Sequence, residues 1–329
     1  MRRPVSPVMN AMNMLVKARN AGPLMKSYSS GSLGFVGFLR ETTSLYRLHS
    51  KDDISDRVRM RIEDARRVED RVRERFGLEL RDLDLLEIGP GQFLMQLTYF
   101  ALRNRVVGVD RDMIVSGFKP FGYTAMLGTN GARRTLKTIG RKLMGIDRRY
   151  ASELLGQLKL ERLPELTLYP MDVCEMSFAR DSFDFVYSRS VLHSLPHPAN
   201  ALDEITRVLR PGGVAYISIH PFTSQTGCLD PRIYTDQRHE VQGWPHLRPH
   251  LQGAIEKPNV YLNKLRLSDW QRLFASKMPG VEFTLSRADD SALEAAKNLH
   301  RQRELLEYSL EELLAGEFVA LWKKSADNS

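Results

Sequence analysis

Two cysteines, Cys174 and Cys228, are all that 329 residues contain. They are too few for a disulfide framework, and neither has a CxxC-type neighbour to suggest a structural zinc site. Equally absent is any run near the roughly 20 consecutive apolar residues that span a bilayer. The longest apolar runs are strand-sized, such as 213–219. The first 40 residues contain neither Asp nor Glu, and no apolar stretch followed by a secretory cleavage site. A reducing cytoplasm is the expected location, with a mitochondrial transit segment as the lesser alternative. Internal repeats are also missing, which sets solenoids aside.

What is abundant is positive charge, and it is localised. The net charge is +8. Residues 1–40 carry +6, and residues 111–150 carry nine basic residues against Asp112 and Asp147, a balance of +7. The remainder of the chain is therefore acidic, at −5. Two such patches can attract an anionic substrate, an acidic membrane surface or nucleic acid.

Residues 1–50, basic and weakly periodic, read as an extension capping a domain over 51–329. Ile54, Val58, Ile62, Ala65, Val68, Val72 and Phe76 recur at spacings of three and four before Gly77, which predicts a helix. Short apolar runs then alternate with helical stretches: strands over 83–88, 106–109, 166–169, 183–188 and 214–220, with helices over 93–103 and 199–209. Toward the end come a helix at 268–274, a strand at 281–286, a long helix over 292–314 and a last strand at 318–322. Buried strands separated by helices predict an α/β, Rossmann-like sheet of seven strands, mostly parallel, with helices on both faces. Residues 111–165 and 221–266 are too long for ordinary connections and read as lid or substrate-region insertions.

A nucleoside cofactor on such a sheet needs glycines where the backbone passes close, a carboxylate for the ribose and a polar group for the adenine edge. Gly89 and Gly91 follow the first strand, Asp110 ends the second and Asp172 follows the third. Each alone is a weak signal, since a Gly-x-Gly is often only a turn and a strand-end Asp only a cap; their order gives them weight together. The third glycine of a dinucleotide fingerprint is missing from Gly89-Pro90-Gly91-Gln92-Phe93-Leu94, and Glu87 stands two residues before the turn. An acid there repels a pyrophosphate and suits a cationic cofactor. S-adenosylmethionine is favoured over NAD.

The segments Leu85–Gly91, Val107–Asp110 and Met171–Ile219 resemble the class I S-adenosylmethionine-dependent methyltransferases, most specifically in 171–178, 182–188, 191–195 and Leu209-Arg210-Pro211-Gly212-Gly213. The resemblance covers about 80–220 apart from the insertion. It implies a seven-stranded sheet whose last strand is antiparallel. It also implies that Glu87, Gly89 and Gly91 surround the methionine moiety and that Asp110 holds the ribose hydroxyls. Asp172 would accept from the adenine amino group with Val173 beside it, and Ser188 would approach the amino end through its backbone. Phe93 departs from the family, where a small residue is common.

Methyl transfer needs alignment and exclusion of water, and an oxygen nucleophile gains from a base. His193 and His220 follow strand ends and are the candidate bases, each with a plain packing or capping role as its alternative. Arg189 is a candidate anion contact or a surface arginine. His239, His246 and His250 lack metal-ligand spacing on one helix, so no metal is expected. Ala132, Leu136, Ile139, Leu143 and Ile146 share one face of a basic amphipathic helix over 132–146, which can pack on the core, cover a substrate or lie on an anionic membrane. The expected acceptor is a small molecule or a glycan or lipid intermediate, methylated on oxygen. An RNA methyltransferase is the first rival, weakened by the lack of an RNA-binding module and of an Asn/Asp-Pro-Pro-Tyr-type motif. A non-catalytic cofactor-binding scaffold is the second.

Overall fold

The three-and-four spacing of apolar residues after Lys51 builds one long helix. In the computed structural model, which describes residues 51–115, 120–230, 243–255 and 260–326, α1 spans Lys51–Phe76. Ile54, Val58, Ile62, Ala65, Val68 and Val72 are all buried, and Gly77 closes the helix by donating its N–H to the Arg73 carbonyl. The extension read over 1–50 lies outside the described residues.

Seven strands follow: β1 (Asp84–Ile88), β2 (Arg105–Asp110), β3 (Thr167–Pro170), β4 (Phe183–Arg189), β5 (Leu209–Ile219), β6 (Glu282–Arg287) and β7 (Ala315–Lys323). They form one sheet in the order β3-β2-β1-β4-β5-β7-β6. Strands β1 to β5 run parallel, and β7 is antiparallel to both neighbours. The strand order reverses between β1 and β4, and a crevice opens beyond the carboxyl ends of parallel strands at such a switch point.

Alternation along the strands divides the core. Leu86, Ile88, Val186 and Ile217 pack on one face, with α6 (Pro198–Val208) and α7 (Leu267–Lys277). Leu85, Phe185, Tyr187 and Tyr216 pack on the other, against α1 and Phe100 of α2 (Met95–Ala101). Helices therefore cover both faces, as expected.

The insertion after β2 holds three helices: α3 (Pro120–Asn130), α4 (Ala132–Leu143) and α5 (Ile146–Leu158). Two expectations change here. The helix read over 132–146 stops at Leu143, and Ile146 instead begins α5, where it packs with Tyr150 and Leu154 against Ile54, Val58 and Ile62 of α1. The face of α4 expected to seek the core also points outward: Leu136 is 60% and Leu143 72% exposed, while Thr135 and Thr138 are buried. The cause is electrostatic, because Arg134, Arg141 and Lys142 turn inward to Asp112 and Asp147.

The long helix expected over 292–314 is two, α8 (Asp290–Arg301) and α9 (Leu310–Leu314). Arg303 and Leu305 break it by taking positive φ, and Ser309 starts α9 by accepting from the Glu312 N–H. Trp244, from the second insertion, is fully buried against this pair and donates its Nε1–H to the Leu313 carbonyl. Among the described residues, no helix is long and apolar enough to cross a membrane.

Candidate active site

Beyond the carboxyl ends of β1, β2 and β4 lies a cavity of about 310 Å³. Its walls include Gly89, Asp110, Asp172 and Val173, four of the positions singled out in the sequence. Each arrives by a local rule. Gly89 leaves β1 at φ +69, and a Cβ placed on it would lie 2.2 Å from Val191 Cγ2. Conformation and space both require glycine there. Gly91 also has φ +69, but a Cβ would meet nothing within 4 Å, so this turn is open where β1 gives way to α2.

Asp110 ends β2 and its Oδ1 accepts the Asp112 N–H at 2.9 Å. Burial pushes its carboxyl up to about 6, against the opposing pull of the Asp112 N–H and the Arg134 charge. Asp112 lines the same cavity and forms an ion pair with Arg134 at 2.5 Å. Asp172 follows β3, with Oδ1 accepting the Cys174 N–H at 2.9 Å. Its turn directs Val173 into the core.

Glu87 does not line the cavity. It sits on the α1 face of β1, 2% exposed, with Oε2 lacking any hydrogen-bond partner. Burial lifts its carboxyl to about 8, opposed only by the Arg61 charge. Glu87 is therefore not the standing anion that its place before the turn suggests: burial keeps the carboxyl neutral below about pH 8. Gly91 and Ser188 also stand behind the wall. Ser188 is fully buried with its Oγ unpartnered, and because β4 runs one residue further, it is Arg189, Ser190 and Val191 that reach the cavity.

The two histidines are side by side but outside the cavity lining. His193, 6% exposed, accepts the His220 backbone N–H on Nδ1 at 3.3 Å, and burial lowers its pKa to about 4. His220 Nε2 lies 2.8 Å from Thr226 Oγ1 and 3.2 Å from Ser224 Oγ. Burial lowers its pKa, while hydrogen bonds with the Thr226 and Gly316 backbone oppose that shift. Arg189 is held between Asp64 at 3.2 Å and Glu317 at 3.5 Å.

Sequence reasoning missed Asp112, Ser190, Val191 and Val260 as wall residues, and saw Arg134 only as part of a basic helix. Val260 arrives on the second insertion, beside Asn263, whose Nδ2 donates to the carbonyls of Leu192 and Leu195. No periodic pattern marks such a contact. His239 lies outside the described residues, and among those described no group of three His, Cys, Asp or Glu residues can hold a metal ion.

Residues 127–217 match a family model described as a methyltransferase domain. The match runs from α3 to β5, so Asp172 and Val173 fall inside it and Gly89 and Asp110 outside. A 69-residue stretch is 42% identical to an uncharacterised chloroplastic methyltransferase of Arabidopsis thaliana, covering 20% of this chain and 19% of that protein. A 78-residue stretch is 38% identical to the phthiotriol/phenolphthiotriol dimycocerosates methyltransferase of Mycobacterium leprae, covering 23% and 28%. The chain thus spans less than a third of the length of the curated relatives it matches. Among solved structures, a phosphoethanolamine N-methyltransferase 2 of Haemonchus contortus in complex with S-adenosyl-L-methionine is similar at 17% identity and a TM-score of 0.43, covering 79% of this chain and 52% of that one.

Proposed function

We propose that this chain is a class I, S-adenosylmethionine-dependent methyltransferase whose cavity beyond β1, β2 and β4 binds the methyl donor for transfer to a small molecule or a glycan or lipid intermediate. The methyltransferase-domain match over 127–217 and the order of the seven-stranded sheet support that reading. The observation that carries the reading is the convergence of Gly89, Asp110, Asp172 and Val173 on one cavity from three different strand ends. The residues fit the cofactor. Gly89, at positive φ, brings backbone into the cavity wall, and behind that wall the buried Glu87 Oε2 has no hydrogen-bond partner in the protein. Bound there, S-adenosylmethionine would supply an electrophilic methyl group.

Asp110 would accept from the ribose hydroxyls and Asp172 from the adenine amino group. Glu87, behind the turn, would favour the cationic end by ionising. Val191 and Val260 contribute apolar lining to the cavity, and alignment and exclusion of water provide most of the acceleration in such a displacement.

Acceptor activation falls to different roles for the two histidines. With its Nδ1 lone pair taken by the His220 N–H, neutral His193 carries its proton on Nε2, and so donates a hydrogen bond instead of removing a proton. His220 remains the candidate base for an oxygen nucleophile, but its Nε2 is held by the Thr226 and Ser224 hydroxyls outside the cavity lining, so that role requires an acceptor that extends past the cavity to reach it. The dimycocerosates methyltransferase among the relatives is consistent with a lipid-like acceptor. The test is calorimetric titration of S-adenosylmethionine and S-adenosylhomocysteine, followed by incubation with labelled cofactor and extracted metabolites. Label appearing in an alkali-stable ether or an ester supports oxygen as the acceptor atom, and label in an amine rejects it.

A further inference from the structure

We propose, resting on the reading of the cavity as the methyl donor's site, that α4 and α5 of the first insertion clamp the turn after β1 in its cofactor-binding shape, with Arg141 as the positioning residue. The turn is Gly89-Pro90-Gly91-Gln92-Phe93-Leu94, and three of its six residues have positive φ: Gly89 at 69°, Gly91 at 69° and Leu94 at 52°. Glycine takes that conformation freely, but a leucine holds it only where its surroundings impose it. Phe93 shows what imposes it. Its ring stacks on that of Tyr150 in α5, with 3.8 Å between centroids and 19° between planes. The Arg141 guanidinium of α4 lies over the same ring, 5.0 Å from its centroid. Arg141 also donates to Gln92 Oε1 at 3.4 Å, so one side chain grips two consecutive residues of the turn.

Arg141 is itself fixed. Its Nε and Nη2 donate to the two carboxylate oxygens of Asp147, at 2.5 and 3.3 Å. Tyr150 is fixed as well, buried with Leu154 against Ile54, Val58 and Ile62 of α1. The grip on the turn is therefore backed by the core and comes from far along the chain, since Gln92 and Arg141 stand 49 positions apart. The other end of α4 holds the neighbouring strand. Arg134 precedes Arg141 by seven residues, about two helical turns, and so shares its face; it pairs with Asp112 just past β2. Helix α4 thus ties the turn after β1 to the turn after β2, and the cavity wall draws Gly89 from the first and Asp110 and Asp112 from the second. A turn already held in its bound shape has little freedom to lose when a ligand arrives, which raises affinity.

The test compares the full chain with Arg141→Gln, Arg141→Lys, Phe93→Ala and the Arg141→Gln/Phe93→Ala double variant. Two quantities are read: hydrogen–deuterium exchange without ligand, and calorimetric affinity for S-adenosylmethionine. Exchange is followed over 89–98, where the Gly89 and Thr98 amides donate to the Val109 and Leu94 carbonyls, with β4 as the reference. Arg141→Gln and Phe93→Ala should each speed exchange over 89–98 and weaken cofactor binding by at least about fivefold, with β4 unchanged. The double variant should bind no more weakly than the worse single one, because both remove one contact. Arg141→Lys keeps a cation for the ring and should recover part of the loss. If Phe93→Ala loosens β4 as well, Arg141→Gln decides, since it leaves every apolar core side chain in place. Four outcomes overturn the clamp: unchanged exchange over 89–98 in Arg141→Gln, unchanged affinity in that variant, β4 loosened there as much as the turn, or losses that simply add in the double variant. A wild type that binds no S-adenosylmethionine refutes the reading of the cavity itself, whereas a wild type that binds as tightly as Arg141→Gln refutes the clamp alone.

Discussion

Arg134 Nη2 lies 2.5 Å from Asp112 Oδ2, and this pair ties α4 of the first insertion to the chain two residues past Asp110. The insertion is therefore part of the cavity wall, and its charge reaches the carboxylate proposed for the ribose. Arg134 favours the ionised form of Asp110, whose carboxyl burial otherwise lifts to about 6.

Replacing Arg134 with Gln removes that charge and should raise the Asp110 pKa further. Cofactor binding that depends on ionised Asp110 weakens as pH falls through that value, so the midpoint of the loss should move upward in the variant. Calorimetric affinities between about pH 5 and 7.5 check this; an unmoved or lowered midpoint would detach Arg134 from the site.

Glu87 makes a prediction for the protein without cofactor. Burial lifts its carboxyl to about 8 in the folded chain from an ordinary 4.5, so the unfolded chain binds fewer protons across that interval. Stability from this group is complete below about pH 4.5 and is lost as pH rises toward 8. Glu87→Gln should flatten that decline by an amount on the order of a few kcal/mol, read from urea midpoints at pH 5 and 8. An identical decline in the variant would refute it. In the wild type, a cationic ligand should bind more tightly as pH rises toward 8, with proton release.

Gly89→Ala should abolish measurable cofactor binding and cost about 1–2 kcal/mol of stability, because the new Cβ meets Val191 and the backbone keeps positive φ. Trimming the partner in Gly89→Ala/Val191→Ala relieves the clash and not the strain, so partial recovery of binding is expected. No recovery would mean that the backbone conformation alone excludes alanine.

His193→Phe leaves the His220 N–H without its acceptor inside the protein. A cost of about 1–3 kcal/mol in chemical denaturation is expected. A variant as stable as the wild type would leave His193 without the anchoring role that the contact gives it.

Much of this architecture was legible in the residues. Strands β1, β2, β4 and β7 announced themselves because buried strands are rich in apolar residues, interrupted in β1 by Glu87 and in β4 by Asp184, and Gly89, Asp110 and Asp172 because strand ends at a switch point need those residue types. Elsewhere local pattern was overruled by tertiary contacts. Leu136 and Leu143 have the spacing of a core stripe, but the inward demand of Asp112 and Asp147 for Arg134, Arg141 and Lys142 rotates α4 the other way. The periodicity of 292–314 conceals a break because Arg303 and Leu305, neither of them a usual helix breaker, take left-handed conformations. Glu87 could be located but not its protonation state, since that depends on burial under α1, which no local motif reports.

The central claim is that the cavity at the ends of β1 to β4 holds S-adenosylmethionine through Asp110. Isothermal titration of the full chain with S-adenosylmethionine at pH 7.5 tests it most directly. The account predicts saturable one-site binding that Asp110→Ala weakens by at least about tenfold, the worth of one charge-assisted hydrogen bond. No binding by the wild-type chain, or equal affinity in the variant, would contradict it.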